Sequence, residues 1–264
     1  MYTLPFYEDL WKEKKLKAID KKENIATCTD LALVLGAKTI QKNNNICEYY
    51  TQSKSFIGFN QIITCNEFGN PTLNRTNDSR IAIRPIIEKD PSLESYTYNK
   101  EEELLYVECG EYPQSATDEL TYLKLEKAFI YGEIKKTDKK YTLYYASKYV
   151  KHFLDKVTAQ EYIFENEKYV RIIAHPSYEQ VTLTNGATIE KGTVVWLKVE
   201  PVIWIYEANS KIGIAEKGLI TGIPYNKAPY EPYYEHSFIQ SYLNNIFSKD
   251  LIPSKLKQKA KKFN

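Results

Sequence analysis

The sequence contains little arginine, although its Lys and Arg residues number 36 together. Only Arg75, Arg80, Arg84 and Arg171 are arginines, and the formal net charge is +2. Arginine reads base edges and phosphates in a bidentate fashion, whereas lysine makes point-charge contacts. A weak overall charge with few arginines therefore argues against sequence-specific recognition of nucleic acid.

Long apolar runs and patterned cysteines are also missing. No apolar stretch approaches the roughly 18 residues of a membrane-spanning helix, so we predict no membrane segment. Cys28, Cys47, Cys65 and Cys109 form no Cys-x-x-Cys pair and have no histidine at metal-ligand spacing, which predicts no metal site. Because no charged and then apolar leader opens the chain, we predict a cytoplasmic protein with free thiols, although the even cysteine count leaves disulfides open.

Tyrosine, in contrast, is abundant, with 23 Tyr against 10 Phe and 3 Trp. Tyrosine suits both strands and recognition surfaces. The alternative explanation is an AT-rich genome, whose codons favour Tyr, Lys, Asn and Ile. The hydrophobic content of 43% and the charged content of 27% are ordinary for a globular protein and exclude disorder over the whole chain.

Four stretches have the periodicity of helices. The first covers residues 6–22, and a short second helix begins at a cap at Thr29 or Asp30. A third helix is predicted within residues 118–134 from the spacing of Leu120, Leu123, Lys127 and Ile130, with a mixture of helix and strand as the alternative. The last helix covers residues 236–247, for which Ser237 is available as a cap.

Strands are predicted between these helices. The strongest signal is residues 194–216, where Val195, Leu197 and Val199 alternate with the side chains between them. Trp204 belongs to the second half of this stretch, and we expect its ring to be buried. Helices that flank antiparallel strands, with long irregular loops, indicate an α+β fold with antiparallel and mixed sheets and flanking helices.

A polar, charged stretch near residues 88–103 divides the chain, because it contains Pro91 and lacks an apolar period. The predicted organisation is an N-terminal lobe over residues 1–90 and a linker over residues 91–103. A C-terminal lobe follows over residues 104–250, and a lysine-rich tail over residues 251–264 ends the chain.

Several short motifs of the sequence resemble, taken together, the pattern of a known group of proteins. These are GEYPQ at residues 110–114, KYVRI at 168–172, VWLKVEPVIWIY at 195–206, a Leu-x-x-Gly-Ile element at 219–223 and SFIQSYLNNIF at 237–247. Together they resemble a widespread, uncharacterised group of bacterial and phage proteins related in pattern to C-type-lectin-like and sulfatase-modifying-factor-like domains. YYTQS and SRIAIRPII in the N-terminal portion resemble the closing part of the same pattern. In most relatives this closing part follows the Tyr-Pro-Gln motif, whereas in this sequence it precedes that motif.

The resemblance implies C-type-lectin-like lobes, and two arrangements remain open: two related lobes, or one circularly permuted lobe. It also implies that Gly110 permits a tight backbone approach, that Pro113 fixes a turn, and that the Gln114 amide satisfies nearby backbone groups. The alternative is that GEYPQ is an isolated surface turn.

We predict that the protein is not an enzyme and uses no cofactor. The related sulfatase-modifying oxidases use a closely spaced cysteine pair, which is missing here. Calcium-dependent lectins need oxygen-rich triplets, whereas Glu200 and Glu231 begin Glu-Pro-Val and Glu-Pro-Tyr, so no calcium site is predicted. His152, His175 and His236 lie in no recognisable nucleophile motif, and we interpret each as structural.

The predicted function is binding of a protein partner through loops on the lectin-like scaffold. The predicted anchors are four tyrosines of the proline-rich segment 223–237: Tyr225, Tyr230, Tyr233 and Tyr234. Tyrosine brings a large contact area with few rotors, and the prolines would stiffen the segment. The alternative is that the segment packs over its own sheet with these rings half buried.

Two further hypotheses concern the partner. The tail holds Lys255, Lys257 and Lys259, which would contact phosphates of a nucleic acid, although a terminal lysine run is more often a solvated, frayed end. The other hypothesis is an inhibitor from a phage or mobile element that occludes a host nuclease or defence complex, as anti-CRISPR proteins do. The sequence fixes neither the partner nor the oligomeric state.

Overall fold

The computed structural model describes residues 1–5, 26–39, 45–54, 60–66, 70–91, 94–99, 104–150, 154–207 and 210–253. The helix predicted for residues 6–22 lies outside these residues, as do His152 and the lysines Lys255, Lys257 and Lys259.

Antiparallel strands dominate the described structure, with short helices around them. The strands are β1 (Tyr2–Thr3), β2 (Ala26–Thr27), β3 (Ile46–Cys47), β4 (Tyr49–Lys54), β5 (Gln61–Cys65), β6 (Pro71–Arg75), β7 (Ile86–Glu88), β8 (Ser95–Asn99), β9 (Leu104–Ala116), β10 (Lys135–Tyr144), β11 (Lys156–Phe164), β12 (Glu167–Ile173), β13 (Gln180–Thr182), β14 (Thr188–Glu190), β15 (Val194–Glu207) and β16 (Ile212–Ala215). The helices are α1 (Asp30–Val34), α2 (Glu119–Ile130), α3 (Phe238–Tyr242) and α4 (Ser248–Asp250), with a 3₁₀ turn at Tyr234–His236 and a π-helical turn at Leu243–Phe247.

These elements form mostly antiparallel β-sheets with few, short helices, which is an α+β or mainly β architecture. The predicted class is confirmed at that level. No helix in the described ranges has the length and hydrophobicity that crossing a membrane requires.

The long strand β15 lies at the centre of a nine-stranded sheet. Leu197 pairs with Ala116 of β9 and with Val170 of β12, and Trp204 pairs with Val107 of β9 and with Ala215 of β16. One edge of β15 is therefore occupied by β9, while the other edge is shared by β12 and β16. From there the sheet continues through β11 to β10 on one side and through β7 to β1 on the other.

The ladder between β9 and β15 contains two irregularities, and both fall in the motif GEYPQ. Pro201 pairs with Glu111 but Ile203 pairs with Glu108, so β9 has one extra residue in that interval. Gly110 lies there with φ of 79°, in the left-handed region that glycine tolerates. A Cβ on Gly110 would approach Leu251 to 3.2 Å, which confirms the predicted tight backbone approach.

The second irregularity lies between the pairs of Leu197 and Val199 with β9. Pro113 was expected to fix a turn, but this expectation is wrong, because β9 continues through Pro113, which pairs with Val199. Proline is tolerated in a strand at such a bulge, where a ladder hydrogen bond is already missing. The amide of Gln114 donates to the carbonyls of Glu200 and Pro201 at 3.1 and 2.9 Å, which confirms its expected role.

Side chains from both predicted lobes meet in one buried cluster. Tyr49 and Ile83 from the N-terminal portion pack in the same cluster as Trp204 and Ile220 from the C-terminal portion, and Ile83 forms a β-bridge with Ile220. Within the stretch predicted as a linker, residues 95–99 form β8, which pairs with β9.

A buried lysine holds the end of the described chain. The Lys139 ammonium donates to the carbonyl of Ile252 at 3.1 Å and lies 4.6 Å from the centre of the Tyr141 ring. The Tyr141 hydroxyl donates to Glu161 at 2.8 Å. Burial disfavours the charged ammonium and lowers the pKa of Lys139 from 10.5 to about 8, although nearby carboxylates oppose this shift.

The first stability prediction concerns Trp204, which is fully buried and donates its indole N–H to the carbonyl of Cys109 at 2.8 Å. Trp204→Ala removes the packing of a large ring and should lower the free energy of unfolding by about 3–5 kcal/mol in urea titrations. An unchanged unfolding midpoint would contradict the central position of β15.

The second prediction is a pH dependence due to Lys139. Between pH 8 and 10.5 the unfolded chain binds more protons at this lysine than the folded protein, so Lys139 contributes a rise in the free energy of unfolding with pH. By pH 10 this contribution amounts to about 2 kcal/mol. The difference in free energy of unfolding between wild type and Lys139→Met should grow accordingly from pH 8 to 10, whereas substitution of the exposed Lys140 by Met should leave the wild-type pH slope unchanged.

Other groups lower the stability in the same window, because burial raises the pKa of cysteines such as Cys65 and of tyrosines such as Tyr112. The unfolded chain loses these cysteine and tyrosine protons first, and this loss is the same in wild type and in both methionine variants. Equal pH slopes in wild type and Lys139→Met between pH 8 and 10 would show that Lys139 is not buried as described.

Candidate binding surface

The four tyrosines predicted as anchors do not form one exposed surface. Tyr225 and Tyr234 are buried, with ring centres 6.3 Å apart, and Tyr225 also packs 5.8 Å from Tyr50. Tyr230 is half-buried, and its hydroxyl donates to the carbonyl of Val150 at 3.2 Å. Tyr233, at 47% exposure, is the one of the four with a largely accessible ring.

Hydrogen bonds to the loop after β6 explain why this segment lies against the body of the protein. The amide of Asn226 donates to the carbonyl of Thr76 at 3.0 Å, and the Thr76 hydroxyl donates to the carbonyl of Tyr230 at 2.9 Å. For Tyr225 and Tyr234, the segment thus follows the alternative interpretation, in which it packs against the body of the protein. The binding role predicted for these two rings requires accessibility that they lack.

The two histidines within the described residues lie in different surroundings. The ring of His175 lies against Tyr145, with centres 5.1 Å apart, and His236 lies exposed in the 3₁₀ turn before α3. No group of three or more His, Cys, Asp or Glu side chains in the described ranges is arranged to hold a metal ion. Cys28, Cys47, Cys65 and Cys109, all within the described residues, form no disulfide.

Helix α2 offers a different surface. Asp118 caps its N-terminus by accepting from the amide and hydroxyl of Thr121 at 2.9 and 2.7 Å, and these hydrogen bonds lower the pKa of Asp118. The helix ends at Ile130, and Gly132 then adopts a φ of 71°, the left-handed conformation common after helices.

The inner face of α2 packs on the sheet and forms a second, smaller core. Leu125 is buried with Trp196, Tyr162 and Tyr169, which project from β15, β11 and β12. Phe129 makes edge contacts with two of these rings, at 5.9 Å from Trp196 and 5.8 Å from Tyr162. This arrangement fixes the helix across the sheet.

An ion pair between Arg171 and Glu126 holds α2 in that position. Both oxygens of Glu126 accept hydrogen bonds from Arg171 of β12, at 2.8 and 3.2 Å. Glu126 also accepts the indole N–H of Trp196 at 2.5 Å, and the Arg171 guanidinium lies 4.8 Å above the Phe129 ring. The hydrogen bond from Arg171 lowers the pKa of Glu126 below its usual value. A bidentate pair of this kind restricts rotation of the helix.

The outer face of α2 is apolar and exposed. Leu120, Leu123, Ile130 and Tyr131 are between 57% and 72% exposed, and they lie on one side of the helix. Lys127 lies among them and makes no ion pair with any described residue. The residues whose spacing predicted this helix therefore lie on its solvent-exposed side. We call Leu120, Leu123, Lys127, Ile130 and Tyr131 the α2 face.

A cleft of about 460 Å³ adjoins the N-terminal half of α2. Its walls come from α2, from the hairpin of β13 and β14 and from the start of β15: Ala116, Glu119, Tyr122, Ala187, Ile189 and Val194. The wall is mainly apolar and includes the exposed Glu119. Such a volume accommodates a side chain of a binding partner.

A second pocket, of about 470 Å³, is polar and surrounds Glu48. The buried Glu48 carboxylate accepts from Thr64 at 2.6 Å, from Thr72 and Asn74, and from the Lys38 ammonium at 3.1 Å. These groups satisfy one another and bridge β5 and β6, so the cluster has a sufficient structural explanation.

Comparison of the chain with protein-family models, with curated proteins and with solved structures finds no match. The interpretation of the α2 face therefore depends on its own chemistry. Sequence reasoning found the helix but missed this surface, and the available signal was the number of large apolar side chains on the same side as Lys127.

The placement of the tyrosines leads to a prediction. Tyr225→Ala and Tyr234→Ala should each lower the free energy of unfolding by about 3–5 kcal/mol, because each removes a buried ring. Tyr225→Phe should be nearly neutral, since the Tyr225 hydroxyl has no hydrogen-bond partner among the described residues. Tyr233→Ala should cost less than about 1 kcal/mol. Equal losses for the alanine variants at positions 225 and 233, measured by thermal and urea unfolding, would contradict this placement.

Proposed function

We propose that this is a non-catalytic binding protein that recognises a protein partner through the α2 face and the adjoining cleft. The observation that carries the proposal is the exposure of four large apolar side chains on one side of a single helix. Exposed apolar patches larger than a few hundred Å² are rare on monomeric proteins and mark interaction sites, and the largest patch of a monomer is often functional.

The surface is rigid, which supports a binding role. The Arg171–Glu126 pair and the ring contacts of Phe129 hold the helix before any partner arrives. Binding to a preorganised surface loses less conformational entropy than ordering a loop. The α2 face and the cleft wall also contain no histidine or cysteine, in keeping with a role other than catalysis.

Charge favours a partner with acidic residues beside an apolar strip. Lys127 lies within the apolar face, and among the described residues Lys124 beside it pairs with the exposed Glu165 at 3.6 Å. The partner that fits is an amphipathic helix whose apolar side chains cover Leu120, Leu123 and Ile130 and whose carboxylates meet Lys127.

Two finer statements belong to the same proposal. The scaffold that presents α2 is taken as C-type-lectin-like from the resemblance of the motifs in the sequence. The setting is taken as the cytoplasm, where four cysteines that form no disulfide are expected.

The test compares binding by acidic variants of the α2 face. A tagged protein captures its partner from host lysate with and without nuclease, and the captured protein is then purified for affinity measurements. Leu123→Asp and Ile130→Asp should each raise Kd by about 30-fold or more, because they place a carboxylate in the apolar contact. Lys127→Glu should also raise Kd, and more at low salt than at high salt, because the introduced carboxylate would repel the carboxylates of the partner.

The matched control is Leu73→Asp, which makes the same kind of change at a 44% exposed leucine on β6. It should leave Kd unchanged, and all these variants should unfold within about 0.5 kcal/mol of wild type. Equal affinity of Leu123→Asp and wild type, or loss of the captured protein after nuclease treatment, would remove the α2 face from consideration.

A further inference from the structure

Three strands end the nine-stranded sheet, namely β1, β8 and β10, and the edges of β8 and β10 differ in chemistry. At one edge, β10 carries Lys135, Lys136 and Lys140, and its pairing with β11 shifts register between Lys136 and Lys140. Lysines and bulges at an edge prevent a further strand from pairing there. The β10 edge is therefore protected against other chains.

The β8 edge has no such protection. Its sequence, Ser95-Tyr96-Thr97-Tyr98-Asn99, contains no charge and is rich in residues that favour strands. Residues 95 to 98 are exposed, with Tyr96 at 56% and Tyr98 at 44%. Among the strands that the structure describes, β9 alone pairs with β8. An edge of this composition is a template for another strand.

The sequence of β8 is nearly symmetric about Thr97. In an antiparallel pair of two β8 strands centred on Thr97, Tyr96 of one copy lies opposite Tyr98 of the other, and Ser95 lies opposite Asn99. The four tyrosines would occupy one face of the joined sheet, because alternate residues share a face. Aromatic side chains directly opposite each other stabilise antiparallel pairs, and no like charges meet.

We propose that a second copy of this chain binds at the β8 edge, through antiparallel pairing of the two β8 strands about Thr97. The two nine-stranded sheets then form one continuous sheet across a two-fold axis. A two-fold interface uses the same patch on both copies, which a self-complementary strand supplies. This proposal does not depend on the α2 face.

The size of the contact sets its strength. Five residues from each chain bury well under the roughly 1,200 Å² of a stable interface, so the dimer is a weak one that dissociates at low concentration. Sedimentation velocity on the full chain between about 10 and 500 µM covers the range in which such an interface becomes populated. The weight-average sedimentation coefficient should rise across this range.

The first arm of the test measures register by disulfide formation. Thr97→Cys should give a cross-linked dimer under mild oxidation, because directly opposite residues lie about 4.5–5.5 Å apart at Cα, within disulfide reach. Ser95→Cys alone should cross-link poorly, since the two Ser95 positions lie about 13 Å apart along the strands. Mixing Ser95→Cys with Asn99→Cys should restore cross-linking. Wild type, with its native cysteines, gives the background.

The second arm removes the pairing without touching the core. Thr97→Lys places two like charges opposite each other, and the dimer should disappear at all concentrations while the thermal midpoint is kept. Leu123→Asp should dimerise as wild type does. A monomeric wild type at about 500 µM, cross-linking of Ser95→Cys equal to that of Thr97→Cys, or loss of the dimer in Leu123→Asp would each overturn the proposal.

Discussion

The ladder between β9 and β15 is the interaction on which the rest of this structure depends. It is irregular at two places, and the glycine and proline of GEYPQ are what allow a strand of this length to follow its partner. The bulge at Gly110 brings β9 against Leu251, so the pairing of two strands also positions the C-terminal helical segment. With one edge of β15 occupied by β9, the other edge is available to β12 and β16, which carry the two halves of the sheet.

The exposed α2 face is a consequence of the same arrangement. β15 directs Leu197 into the main core and Trp196 to the opposite side, where α2 is the cover. A single helix needs only one of its faces to cover Trp196 and the neighbouring tyrosines, so its other face remains in solvent. On most surface helices that face is polar. The apolar residues found there are mostly exposed and belong to neither buried cluster of the described chain, which is why we propose that a partner covers them.

Local signals predicted much of the fold, and long-range contacts account for what was missed. The spacing of Leu120, Leu123 and Ile130 predicted α2, and alternation predicted β15, because each signal lies within one element. Tyr225 was misjudged because its burial depends on Tyr50, 175 positions away in the sequence. β8 was taken for a linker because five polar and aromatic residues have no apolar period, and their strand conformation comes from pairing with β9. The exposure of the α2 face was not predicted, because periodicity alone does not tell which side of a helix packs on the sheet.

The two proposed surfaces have different strengths, and this difference has a functional consequence. Covering Leu123 and Ile130 gains hydrophobic free energy, whereas pairing at β8 mainly exchanges hydrogen bonds with water for hydrogen bonds between chains, with a small net gain. Dimerisation through β8 would place two α2 faces on one particle. A partner that offers two matching segments would then bind the second face at a high effective concentration, and the weak dimer contact would be stabilised in turn by the bivalent partner. Assembly would thus respond to the partner more than to the concentration of the protein alone.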